Sequence, residues 1–84
     1  MDRRRLGGLL AEAEENAALG EKRIVRQQAI IAEMEQQGFG SEESRKLLAL
    51  LMDLQEIHIA NANRLRMALE SLSDQSLGPT STGR

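Results

Sequence analysis

The sequence predicts an all-α fold: an antiparallel two-helix hairpin that pairs with a second copy into a four-helix bundle. Three observations predict it. Apolar and small residues recur in alternating steps of three and four along two long stretches. Both stretches lack proline and are rich in Ala, Leu, Glu, Gln and Arg, which favour helix. One glycine-containing break, QQGFGSEES, separates them.

Residues 1–8 begin with an Arg3–Arg4–Arg5 cluster and read as a frayed, solvated terminus. The first helix is expected over 9–37, with a seam of Leu10, Ala13, Ala17, Gly20, Ile24, Gln27, Ile31 and Met34. The turn is expected at 38–41. Gly38 takes the left-handed conformation that ends a helix, and Phe39 then comes back towards Met34 in a Schellman cap. Ser41 is the natural N-cap of the second helix, and Glu42 and Glu43 suit the positive end of its dipole. So short a connection turns the chain straight back. The second helix is expected over 42–72, with a seam of Leu47, Leu51, Leu54, His58, Asn61, Leu65, Ala68 and Leu72. Residues 73–84, SDQSLGPTSTGR, are polar and hold the only proline, which predicts a disordered tail.

Composition narrows the function. With 84 residues the chain makes one small domain, of a size at which a single core is marginal. It has no cysteine, so disulfides and thiolate metal sites are excluded. A net charge of −2 with interleaved signs, and Phe39 as the sole aromatic residue, argue against nucleic-acid binding. No apolar run reaches the roughly 20 residues that span a bilayer. The short apolar segment after the arginines passes directly into acidic residues, unlike a secretion signal. A cytoplasmic protein without membrane partners is the expectation.

The second helix carries more apolar surface than one partner helix can cover. Leu48, Leu50, Met52, Ile57, Ile59 and Met67 fall off its expected seam. Burying each such side chain is worth roughly 1.5–3 kcal/mol, against a total stability of about 5–15 kcal/mol for a small domain. Leu50, Met52, Ile57 and Ile59 are therefore the expected interface with another chain, most simply a second copy in a C2 dimer.

Chain reversal about the loop sets Ile24 near His58, Gly20 near Asn61, and Gln27 near Leu54 and Gln55. This predicts a polar band of Gln27, Gln55, His58 and Asn61 inside an apolar seam. Such a band fixes register and oligomeric state. Gly20, which costs about 1 kcal/mol relative to Ala in mid-helix, is expected to provide close approach. Three functional readings of His58 stand beside that structural one. As a metal ligand it lacks companions, since Gln55 stands where a Glu-x-x-His motif needs a carboxylate. As a phosphoacceptor it lacks the residues that follow the histidine in histidine-kinase dimerisation helices and phosphotransfer domains. As a pH switch it would loosen the assembly on protonation. The residues show no nucleophile–base pair, phosphate-binding loop or convergent carboxylate pair, so neither catalysis nor a cofactor is expected.

Two segments, GEKRIVRQQAIIAEMEQQG (20–38) and HIANANRLRMAL (58–69), resemble a group of short, uncharacterised proteobacterial helical-hairpin proteins. Gly20, Glu21, Ile24, Gln27, Gly38, His58 and Leu65 carry the resemblance, which spans roughly residues 12 to 70. The chain departs from that pattern at Asn16, Ala62 and Asn63. The resemblance implies a bacterial cytosolic helical hairpin and no particular activity. The expected function is a non-enzymatic oligomerisation or protein-interaction module. The alternative is a small regulatory adaptor that binds a larger protein through its second helix.

Overall fold

The computed structural model describes the backbone of residues 2–82 and the side chains of residues 2–73. Among the described residues there are two helices and no strand: α1, Arg3–Gln36, and α2, Glu42–Thr82. They pack lengthwise on one another as an antiparallel hairpin. The all-α hairpin expected from the heptad spacing is thus present. No helix among the described residues is long and apolar enough to cross a membrane.

Helix α1 starts six residues earlier than the sequence pattern suggested. Asp2 is the reason: its carboxylate accepts the Arg5 N–H at 2.7 Å, and its carbonyl accepts the Leu6 N–H at 3.0 Å. An aspartate N-cap satisfies a donor that would otherwise be orphaned and suits the helix dipole. Leu6 also extends the seam by one step, being 93 % buried (7 % exposed). The N-terminal segment is therefore helical where fraying was expected. Helix α2 likewise continues past Leu72 to Thr82. No glycine or proline interrupts 73–77, and the side chains of the expected tail beyond 73 lie outside the described residues.

The turn forms as the sequence proposes, with two differences. The Phe39 N–H donates to the Met34 carbonyl at 2.8 Å, and the Gly38 N–H donates to the Glu35 carbonyl at 3.1 Å. That pair of bonds is a Schellman closure, and Gly38 has the positive φ of 83° it requires. The Phe39 side chain nevertheless stays exposed. Ser41 occupies the N-cap position, its carbonyl accepting the Arg45 N–H at 2.8 Å. Its hydroxyl, however, donates to Glu35 Oε2 at 2.9 Å and does not cap the α2 backbone. Arg45 completes the cluster, pairing with the same Glu35 oxygen and donating from Nε to Ser41 Oγ at 3.2 Å.

The seam of α1 is the expected one. Ala13, Ile24, Gln27 and Ile31 are buried, while Leu10, Ala17, Gly20 and Met34 are half-buried. The seam of α2 is not. It runs through Ser41, Ser44, Leu48, Leu51, Gln55, His58, Ala62, Leu65, Leu69 and Leu72. Three expected positions move on by one residue: Leu48 replaces Leu47, Gln55 replaces Leu54 and Ala62 replaces Asn61, while Leu69 joins Ala68, both half-buried. The entry to α2 sets this phase. Ser41 is tied to Glu35, and the Ser44 hydroxyl donates to Met34 Sδ at 3.2 Å, so both serines face α1. A rotation fixed in the first turn propagates along a rigid helix at about 100° per residue.

Candidate functional site

The polar residues of the seam do not form the single band expected. Gln27, from α1, donates through Nε2 to the Ser44 carbonyl of α2 at 2.9 Å. Gln55, from α2, donates through Nε2 to the Ala17 carbonyl of α1 at 2.8 Å. Each helix thus sends one buried amide to the backbone of the other, Gln27 being 7 % and Gln55 8 % exposed. The two clamps lie about 15 Å apart, being ten or eleven residues apart along either helix. Gln27 does not meet Leu54 or Gln55, and Asn61 is exposed, outside the seam altogether. The pairing slips because the chain reverses about Gly38 and Phe39, ahead of Ser41.

Gly20 faces Gln55 and His58, not Asn61. A Cβ built on Gly20 would overlap Gln55 Oε1, sit 3.1 Å from Gln55 Cδ and lie 3.5 Å from His58 Cδ2. The expectation that Gly20 provides close approach is realised on a different partner. Donation to Ala17 fixes which way the Gln55 amide points, so Oε1 must turn towards Gly20. There it is buried and, among the described residues, has no hydrogen-bond partner. His58 stands half-buried beside this contact. Among the described residues, no group of three or more His, Cys, Asp or Glu side chains is placed to hold a metal ion.

At the open end of the hairpin, Arg66 bridges the helices. It donates to Glu14 Oε2 at 2.8 Å and to Asn63 Oδ1 at 2.7 Å. Sequence reasoning passed over this pair because both residues sit on faces rich in charge, where spacing alone selects no partner.

The second surface of interest is apolar. Leu50, Met52, Ile57 and Ile59 are all exposed, at 55, 49, 63 and 47 %. They do not share one face. Leu50 and Ile57 line up with Leu47 and Leu54, which are also exposed, in steps of three and four. This leucine stripe lies about 110° around α2 from the seam, counting 100° per residue. Met52 and Ile59 lie on the opposite side of the seam, in line with Arg66. Two shallow surface depressions lie on α1, one lined by Gly8, Ala11, Glu12, Glu14 and Glu15 and one by Glu15, Asn16, Ala18, Leu19 and Lys22; each belongs to one helix and encloses nothing. Compared with known proteins, the chain matches no family model, no curated protein and no solved structure.

Proposed function

We propose that the protein is a non-enzymatic interaction module whose hairpins associate with one another through the leucine stripe of α2, giving a four-helix bundle. One observation carries this reading. The hairpin uses small or polar residues (Ser41, Ser44, Gln55, Ala62) for much of its own α2 seam, and leaves Leu47, Leu50, Leu54 and Ile57 outside. Four such side chains in water forfeit roughly 1.5–3 kcal/mol each relative to burial. That is a large loss on the scale of the roughly 5–15 kcal/mol that holds a domain together. A helix with two seams at about a right angle is also what the corner of a four-helix square requires. The buried amides suit such a module, since hydrogen-bonded polar groups in a seam specify one register at some cost in stability.

Sedimentation equilibrium on the full chain and on a Leu50→Glu, Leu54→Glu variant tests the reading. The wild type is expected to dimerise at tens of micromolar, and the variant to be a helical monomer. A wild type that stays monomeric at several hundred micromolar overturns it.

A further inference from the structure

Resting on that reading of the stripe, we infer that α2 pairs antiparallel with α2 of a second copy, Leu50 of each chain packing on Leu54 of the other and Leu47 on Ile57. The orientation follows from what bounds the stripe. Continued by the same steps, it reads Glu43, Leu47, Leu50, Leu54, Ile57, Asn61, Arg64, with an acid at one end and a base at the other. Parallel pairing sets Glu43 against Glu43 and Arg64 against Arg64, two like-charge contacts flanking the apolar layers. Antiparallel pairing about a two-fold axis at Met52 aligns the four apolar residues in four complete layers. It also brings Glu43 of one chain within a turn of Arg64 of the other, at both ends.

The stripe is therefore complementary to its own reversed image, which a surface built for an unrelated protein has no reason to be. Among the described residues nothing covers the stripe, whose Leu47, Leu50, Leu54 and Ile57 are all exposed. Glu43 has only an exposed contact with Lys46 at 3.5 Å, both side chains being largely in water. Helix α1 lies on the other seam. One residue opposes the arrangement: Asp53, on the flank of the stripe, faces its own copy beside the axis.

The absence of cysteine makes the test direct. Leu50→Cys chains and isotope-labelled Leu54→Cys chains are mixed and oxidised under mild conditions, and the disulfide-linked dimers are weighed. Antiparallel pairing gives predominantly the mixed dimer, whereas parallel pairing gives the two like dimers. Charge reversal supplies a second readout. Glu43→Arg and Arg64→Glu are each expected to weaken dimerisation at least threefold, the double variant to restore it, and Asp53→Asn to tighten it. Like-dimer disulfides, or a double variant as weak as the singles, overturn the antiparallel geometry while leaving self-association intact. A wild type that does not dimerise overturns self-association itself.

Discussion

Gly20 and Gln55 fit together as notch and key: the Gln55 amide oxygen occupies the space that a Cβ on Gly20 would need. The contact explains why glycine interrupts an otherwise strong helix former at the centre of α1. Mid-helix glycine costs about 1 kcal/mol relative to alanine, yet here the alanine methyl would push the Gln55 side chain off the Ala17 carbonyl.

The expected outcome is a change of sign between backgrounds. Gly20→Ala should lower the thermal midpoint of the wild type, because the buried amide loses its acceptor. In a Gln55→Ala background the same substitution should stabilise by about 1 kcal/mol, the full helix-propensity gain. A double-mutant cycle from chemical denaturation isolates the coupling. Equal effects in both backgrounds would show that notch and key are unrelated.

The two amide clamps are expected to trade stability for uniqueness. Replacing Gln27 and Gln55 together by Leu removes two buried amides, one with an unpartnered oxygen. The acceptors left behind, the Ser44 and Ala17 carbonyls, lie inside helices and keep their own helical hydrogen bonds, so the thermal midpoint should hold or rise. The backbone amide spectrum should meanwhile broaden or double as alternative registers become populated. A single sharp spectrum for the double variant would place register control elsewhere.

How much of this was legible in the sequence depends on the helix. In α1 every seam position is where three-four spacing puts it, because the rival phase through Leu10, Ala17, Ile24 and Ile31 would pass through Glu14, Glu21, Gln28 and Glu35. In α2 two phases satisfy the same spacing. Steps of three then four, or four then three, both pass through Leu51, His58, Leu65 and Leu72, and differ only in the residues between. Hydrophobicity ties Leu47 with Leu48, prefers Leu54 to Gln55, and prefers Ala62 and Leu69 to Asn61 and Ala68, so the pattern alone does not decide the phase. The ties of Ser41 to Glu35 and of Ser44 to Met34 fix the rotation, and those contacts span the turn, beyond the reach of periodicity. The turn itself was legible, since Gly38 can take a backbone conformation that other residues adopt only with strain.

That strain gives a simple test. Gly38 has φ of 83° and nothing within 4 Å of an added Cβ, so a substitution there meets only its own backbone. Gly38→Ala should destabilise by about 1–2 kcal/mol, whereas Gly40→Ala, at a residue without positive φ, should cost less. The two denaturation midpoints decide it.

Acidification should weaken the turn. The hydrogen bonds that Arg45 and Ser41 give to the Glu35 carboxylate, with the Arg45 charge behind them, hold its pKa below the ordinary carboxylate value. A carboxyl whose folded pKa lies below its unfolded one contributes stability that is complete above the unfolded value. That contribution disappears as pH falls through the folded value. The thermal midpoint should therefore decline below the usual glutamate range, and Glu35→Gln should flatten that part of the profile. Because the pair is open to solvent, added salt should shrink the effect. An unchanged slope in Glu35→Gln would assign the decline to other carboxylates.

The interhelical clamps end on peptide oxygens, and every amino acid carries one. Positions 17 and 44 can therefore drift in identity as far as these bonds are concerned, subject only to size, while each glutamine keeps its acceptor. Selection is focused instead on the donors and on the one site kept bare to admit them. Divergent copies of such a hairpin would preserve Gln27, Gln55 and Gly20 long after the residues they grip have changed.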